Sequence, residues 1–335
     1  MNIRLSVVDQ SPVHGSHSKQ QAPHLTLELA RLCDELGYHR YWVAEHHDSQ
    51  HFANPCPEIM VGAVAAVTRR MRIGSGGVML SHYSPYKVAE CFRMLATLYP
   101  DRIDLGVGRA PGGTGLASRA LAFPYSPHHG DLYPQQAQML SGFLRDGLPD
   151  QNPFHSLRVM PDNEPTPELW MLGSSGGSAG LAGHLGYNLA LARFIDPDNC
   201  KPDIFAEYDA QWREAGHEGK GNRMLAIACI CADSDEEARL VAGTAVYRKL
   251  AAQSGLREDF LTPEQVRDRY QQLSKSQQAM FDHIEAGYTI GSPQRCMDEI
   301  RTLASAFDCQ EVALVTVTWS QQARMDSYRL LAGML

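Results

Sequence analysis

Five short segments concentrate groups that can bind an anion or move a proton. The run Gly173-Ser174-Ser175-Gly176-Gly177-Ser178, at the head of GSSGGSAGLAGHLG, follows an apolar stretch and leads into helical spacing. Amides and hydroxyls at such a strand-to-helix turn attract an anion, and the glycines let a phosphate approach the backbone closely. Arg109 ends the segment Gly106-Val107-Gly108-Arg109, and a guanidinium grips phosphate oxygens as a fork. Gly76-Gly77 interrupts a β-rich run, which marks a bulge or a backbone that a flat ligand approaches. Glu45-His46-His47-Asp48 offers imidazoles, which titrate near neutrality. Asp9-Gln10-Ser11-Pro12 completes the set.

Two chemistries stay open on these residues. His46 can serve proton transfer in an active site. Alternatively, Glu45, His46, His47, Asp48 and His51 are the ligand types of a metal-dependent hydrolase. Adjacent residues of an extended segment point to opposite sides, so His46 and His47 do not readily share one ion. The segment from Gly106 to Gly112 superficially matches a dinucleotide fingerprint, but its third glycine comes one position late and Pro111 stands where a helix should begin. One anchoring cluster for one phosphate, without a second phosphate site, points to a mononucleotide.

Something must hold these segments together, and the hydrophobic pattern says what. Short β-rich runs fall at 3–8, 41–44, 72–79, 103–107, 169–172, 188–192, 225–231 and 311–316. Helical spacing lies between them, as in the stripe Leu25, Leu29, Leu32, Leu36 ended by Gly37, and in Val88, Phe92, Leu95, Leu98 ended by Pro100. Strand followed by helix means parallel pairing with right-handed crossovers. Eight such units predict a (β/α)8 TIM barrel, with an open doubly wound sheet as the other architecture. In a barrel the reactive groups collect where strands end, and the five segments above are five consecutive strand ends.

The 335 residues are read as a single barrel domain interrupted by long, Pro-, Gly- and His-rich stretches at 110–131 and 149–167 and by a polar, weakly helical arm at 255–287. Lys and Arg number 30 against 38 Asp and Glu, a formal charge of −8. That balance argues against a nucleic-acid binder or an anionic-membrane binder. No apolar run reaches the length needed to span a bilayer. The opening MNIRLSVVDQ has no signal-peptide core, and eight scattered cysteines lack a CxxC pair, so a cytoplasmic location with reduced thiols is expected.

Several blocks carry a resemblance: GYHRYWVAEHH, the run from Pro55 to Gly113 with RIGSGGVMLSHYSPYKVAE and YPDRIDLGVGRAPG, ELWMLGSSGGSAGLAGHLGYNLALA, GSPQRCMDEI and EVALVTVTW. In this order they resemble the bacterial luciferase-like flavin monooxygenases, specifically the single-chain members not known to emit light. The resemblance implies a (β/α)8 barrel that takes FMN, in reduced form, from a separate NAD(P)H-dependent flavin reductase. It implies a C4a-hydroperoxide of the flavin as the oxygen donor to a small organic substrate, and a homodimer. By position, His46 matches the active-site histidine and Arg109 the arginine on the flavin phosphate. Gly173, Ser174, Ser175, Gly177 and Ser178 match the phosphate loop. Gly76-Gly77 matches a pair joined by a non-prolyl cis peptide beneath the isoalloxazine, and Ser11 is expected near that ring.

The chain also departs from the light-emitting members. Gly108 stands where they carry cysteine, and Gly173 where they carry an acid. A deazaflavin in place of FMN is the alternative cofactor. A metal-dependent hydrolase and a non-catalytic flavin-binding protein are the alternative functions. Loops 110–131 and 255–287 are expected to close over the pocket, and Trp319, at the end of the last strand, either lines the flavin or packs.

Overall fold

The computed structural model describes residues 3–334 apart from 14, 16, 127–131, 146, 163–164, 175 and 256–259. Eight parallel strands close on themselves. They are β1 (Arg4–Asp9), β2 (Arg40–Val43), β3 (Arg72–Met79), β4 (Ile103–Gly108), β5 (Glu168–Gly173), β6 (Asn188–Ala192), β7 (Arg223–Cys231) and, two steps later in the chain, β9 (Glu311–Val315). Consecutive strands pair from β1 to β7, β7 pairs with β9, and β9 returns to β1 with Arg4 opposite Glu311 and Val7 opposite Leu314. The strands anticipated from apolar runs are these eight. A ninth, β8 (Thr289–Gly291), pairs with Cys229–Cys231 of β7, beyond the stretch where Leu225–Ala228 of β7 meets β9. Three residues carry no readable period, which is why the sequence did not announce it.

Helices cover the outside: α1 (Ala22–Leu36), α2 (Pro57–Val67), α3 (Pro85–Leu98), α4 (Gly115–Ala122), α5 (Tyr133–Leu144), α6 (Ala179–Leu185), α7 (Asp203–Glu214), α8 (Asp235–Ser254), α9 (Pro263–Tyr270), α10 (Lys275–Ala286), α11 (Pro293–Ala306) and α12 (Gln321–Ala332). Proline opens α2, α3 and α11, where its missing N–H costs nothing. Gly37 ends α1 in the left-handed region at φ +84°, as a C′ glycine does. Within 110–131, expected to be loop, Thr114 caps α4 by accepting from the Ala117 N–H. The polar arm becomes α9 and α10, each opened by a capping box, Thr262 with Gln265 and Ser274 with Gln277. Both helices pack on α8 through Val246, Leu250, Val266, Phe281 and Ile284.

A buried ionic floor closes the N-terminal end of the barrel. Arg40 and Arg72 open β2 and β3, Glu168 and Glu311 open β5 and β9, and Asp104 is the second residue of β4. Arg40 donates to Glu311 at 2.8 Å and to Asp104, while Arg72 donates to Asp104 at 2.7 Å. Above them the Trp42 indole donates to Asp104 at 2.9 Å and the Arg40 guanidinium lies 4.8 Å from the Trp170 ring. Barrel interiors are ordinarily filled by bulky branched side chains. Here the positions above the tryptophans are Ala190 and Ala192 on β6, Ala226 on β7 and the glycines of β3, so the upper half stays open.

All eight cysteines are free thiols. Among the described residues no helix is long and apolar enough to cross a membrane.

Candidate active site

The open upper half of the barrel is a cavity of about 650 Å³, within the range of small-molecule and cofactor sites. Gly76 and Gly77 of β3, Arg109 after β4, and Gly173, Ser174, Gly177 and Ser178 after β5 all border it. Segments read separately in the sequence therefore meet in one space. Ser175 lies outside the described residues. The Arg109 side chain is exposed and faces the glycine loop: a Cβ built on Gly177 stands 3.7 Å from its Nη2. Its guanidinium is thus placed to share one anion with the loop amides.

The Gly76–Gly77 peptide is cis, as the resemblance implied. A side chain at either position has no room. A Cβ on Gly77 falls 2.7 Å from the Gly106 carbonyl oxygen, and one on Gly76 falls 3.1 Å from Cβ of Trp42. The strand therefore presents bare backbone to the cavity, a surface on which a flat ring can lie. The rest of the lining is largely apolar: Val8 and Leu172 beside the glycines, with Phe194, Ile195 and Met224. These wall residues were not singled out in the sequence. Their signal was the period-2 alternation of Ala190 and Ala192 on β6 and of Met224 and Ala226 on β7, which sets small residues toward the barrel axis.

Two expected site residues do not border this cavity. Ser11 is fully buried with φ +49°; its N–H donates to Asp9 at 2.7 Å and its hydroxyl accepts from Thr26 at 3.0 Å. Asp9 is in turn held by Arg324 at 2.6 Å and by the Tyr41 hydroxyl. This network draws Ser11 into the packing between β1 and α1, which corrects its expected place beside a ring. His46 lies at the end of β2, its ring 4.4 Å from that of Phe52, with its backbone N–H donated to the Asn54 carbonyl at 2.9 Å.

His46 and His47 diverge. The Nε2 of His47 is 2.6 Å from Oε1 of Glu45, and the Tyr83 hydroxyl donates to the same carboxylate at 2.7 Å. The other oxygen of Glu45 accepts the Met79 N–H at 2.9 Å. A fully buried carboxylate is thereby committed to its neighbours, and the hydroxyl of Tyr83 is pushed up by burial and by Glu45. By contrast Nδ1 of His46 is sealed from solvent with no hydrogen-bond partner. Burial, then the positive charge of Arg248 and the neighbouring His47 imidazole, pulls its pKa down to about 4. His46 is therefore a neutral imidazole at neutral pH, able to donate from one nitrogen and accept at the other.

Trp319 stacks on Phe260, ring centroids 5.7 Å apart, and covers Gly15, where a Cβ would fall 1.9 Å from the indole. It packs and does not border the cavity. Among the described residues no three His, Cys, Asp or Glu side chains are grouped to hold a metal ion. The cavity size, the bare Gly76–Gly77 backbone and an Arg109 with no ion-pair partner among the described residues fit a planar ring with a single phosphate.

Comparison with known proteins identifies the family. The model of the family described as luciferase-like monooxygenase matches residues 3–119 and 149–308. The chain is 36% identical over 329 residues to the uncharacterized protein YwcH of Bacillus subtilis, covering 98% of each. It is 33% identical over 334 residues to the N-acetyl-S-alkylcysteine monooxygenase of the same organism, covering 98% of this chain and 97% of that one. Among solved structures, apo-MsnO8 superposes with a TM-score of 0.88 at 35% identity, covering 99% of this chain and 98% of that one. The same fold is found in a 3,6-diketocamphane monooxygenase of Pseudomonas putida in complex with FMN, with 17% identity, a TM-score of 0.72 and 99% and 97% of the chains covered. It is found again in an F420-dependent secondary alcohol dehydrogenase, with 16% identity, a TM-score of 0.71 and 98% of each chain covered.

Proposed function

Because this chain belongs to the luciferase-like monooxygenase family of oxygenase enzymes, we propose that it is a two-component, FMN-dependent monooxygenase acting on a small organic substrate. The observation that carries the reading is the meeting of Arg109, the Gly173–Ser178 loop and the Gly76–Gly77 backbone in one cavity. A flavin or a deazaflavin suits a family whose fold includes an FMN complex and an F420-dependent enzyme. FMN is favoured because its single phosphate matches one guanidinium and one loop, and no second cation borders the cavity among the described residues.

Reduced FMN, when bound, supplies the activation of O₂ and the transfer of one oxygen atom, the other leaving as water. The chain's own residues bind, orient and dry the site. Arg109 and the hydroxyls of Ser174 and Ser178 hold the phosphate, with Ser175 as a further hydroxyl in the same loop. Gly76 and Gly77 support the ring edge, while Leu172, Phe194 and Ile195 keep water away from the reacting atoms. His46, neutral by virtue of its burial, would donate a hydrogen bond from one ring nitrogen and accept at the other at the β2 rim, and would carry a positive charge only while it holds a second proton.

The reduced cofactor comes from a separate NAD(P)H-dependent reductase as a transient partner. A homodimer is supported by Ile59, Met94 and Leu98 on α2 and α3, which are 69%, 48% and 61% exposed despite being apolar. A cytoplasmic location is supported by the eight unpaired thiols.

The test is titration of the purified protein with FMN, reduced FMN and riboflavin under anaerobic conditions, followed by flavin fluorescence. Binding of either FMN state in preference to riboflavin is the expected result. Failure of both to bind, or tight stoichiometric zinc in the protein, overturns the reading. Coupling to a flavin reductase with isotopically labelled O₂ then checks that oxygen enters an organic product, which separates an oxygenase from a passive flavin binder.

A further inference from the structure

Arg248, on α8, is a cation with no carboxylate paired to it among the described residues. Its Nε is sealed from solvent and has no hydrogen-bond partner. The groups whose charges act on it or feel it are His46, His51, Lys249 and Tyr288, none of them acidic. Lys249 is engaged by the carbonyls of Phe194 and Ile195 at 3.0 and 3.2 Å. The guanidinium lies 4.6 Å from the Phe52 ring, and Phe52 touches His46. The fully buried arginines are treated differently from this half-buried one: Arg40 is paired with Asp104 and Glu311, and Arg324 with Asp9.

A guanidinium sealed from solvent at Nε without a paired carboxylate is costly to fold, and such costs persist at functional sites. Its placement is informative. Arg109 and the glycine loop sit at the ends of β4 and β5, whereas Arg248 reaches the end of β2 beside His46. The rim therefore carries two separate cationic positions, and only the first is matched to a flavin phosphate. The second position is fixed by Phe52, whose ring lies under the guanidinium and against the His46 ring at the end of β2. The planar fork of an arginine fits the two oxygens of a carboxylate.

We propose that Arg248 anchors a carboxylate of the substrate, so that the molecule oxygenated at this site is an organic acid whose anionic end is held at the β2 rim next to His46. This rests on the flavin-monooxygenase reading, in that the acid is taken to be the oxygen acceptor; the anion site itself does not depend on flavin.

The test uses hexanoate and 1-hexanol as probes, titrated by calorimetry into the wild-type protein and into Arg248→Met and Arg248→Lys, each with and without FMN. Wild type is expected to bind hexanoate about ten- to a hundredfold more tightly than 1-hexanol, the usual worth of a charge-assisted hydrogen-bonded pair. Arg248→Met loses that preference and Arg248→Lys regains part of it. Thermal melting of the unliganded Arg248→Met protein rises, which separates loss of the anchor from loss of the fold. A wild type indifferent to the carboxylate, or a preference that survives in Arg248→Met, overturns the proposal. If hexanoate is preferred but FMN does not bind, the flavin reading fails and the anion site stands.

Discussion

Arg109 Nη2 and the backbone of Gly177 face each other across the cavity rim, so closely that a methyl group on Gly177 would stand 3.7 Å from the guanidinium. One residue follows β4 and the other follows β5, and the pairing of those strands, Asp104 with Glu168 through Val107 with Met171, is what brings them together. Arg109→Ala is expected to weaken FMN by about ten- to a hundredfold, the loss of one charge-assisted contact, while leaving riboflavin affinity unchanged. Fluorescence titration of both ligands checks this, and an equal loss for riboflavin would show that Arg109 does not read the phosphate.

Gly106 is required by its surroundings. A Cβ there falls 2.2 Å from the Ser75 carbonyl oxygen, which is fixed backbone of the neighbouring strand. Gly106→Ala is expected to cost about 1–3 kcal/mol through overpacking, seen as a lower urea midpoint. Gly115, in the first turn of α4, has nothing within 4 Å of an added Cβ, so Gly115→Ala should be neutral or stabilise by about 0.5–1 kcal/mol. A Gly106→Ala protein as stable as wild type would refute the close packing of β3 against β4.

The ionic floor predicts an asymmetric result. Asp104 accepts from Arg40, Arg72 and Trp42. Asp104→Ala leaves the Trp42 N–H without its acceptor while Arg40 keeps Glu311 and Arg72 keeps Glu168, and should lower stability by about 1–3 kcal/mol. Arg40→Met in the Asp104→Ala background should add to that loss, since it takes the 2.8 Å partner from the fully buried Glu311 carboxylate. Chemical denaturation of the single and double variants measures the coupling.

His46 predicts a pH dependence with a definite sign. Its folded pKa of about 4 lies below the ordinary histidine value of about 6.5. The unfolded chain therefore takes up a proton as pH falls through the ordinary value, while the folded chain does not until about pH 4. The stability from this group is complete above the ordinary value and declines toward acid. Burial acts the same way on His39 and His51, so the contribution of His46 is read as the difference between wild type and His46→Gln. That difference should shrink the acid-side decline of the urea midpoint. In Arg248→Met the His46 pKa should move up, because a cation that opposes its protonation is gone; a histidine NMR titration reports both.

Much of this site could be read before folding was considered. Gly76-Gly77, Arg109 and the Gly173–Ser178 run are chemically unusual for strand ends, and each is contiguous in the chain. Ser11 shows the limit. It also follows a strand, yet the Arg324–Asp9 pair, joining residues from opposite ends of the chain, draws it into the packing. Arg248 was invisible for a related reason. An arginine in a 20-residue helix reads as surface, and only the packing of α8 between the barrel and α9–α10 covers it.

The sequence by itself determined the eight barrel strands and the principal helices between them, though not β8 or α4, because periods of two and 3.6 residues and the residues that end them are local properties. It also determined that the strand ends carry anion-binding chemistry. Tertiary structure decided which of those groups share a space. Closure of β9 onto β1 and β7 encloses small inward residues such as Ala190 and Ala226 around an opening rather than a filled core. It likewise set Arg248 beside His46, its Nε sealed and unpartnered and no carboxylate paired with it among the described residues. Burial and charge are sums over neighbours distant in the chain, and no stretch of sequence contains them.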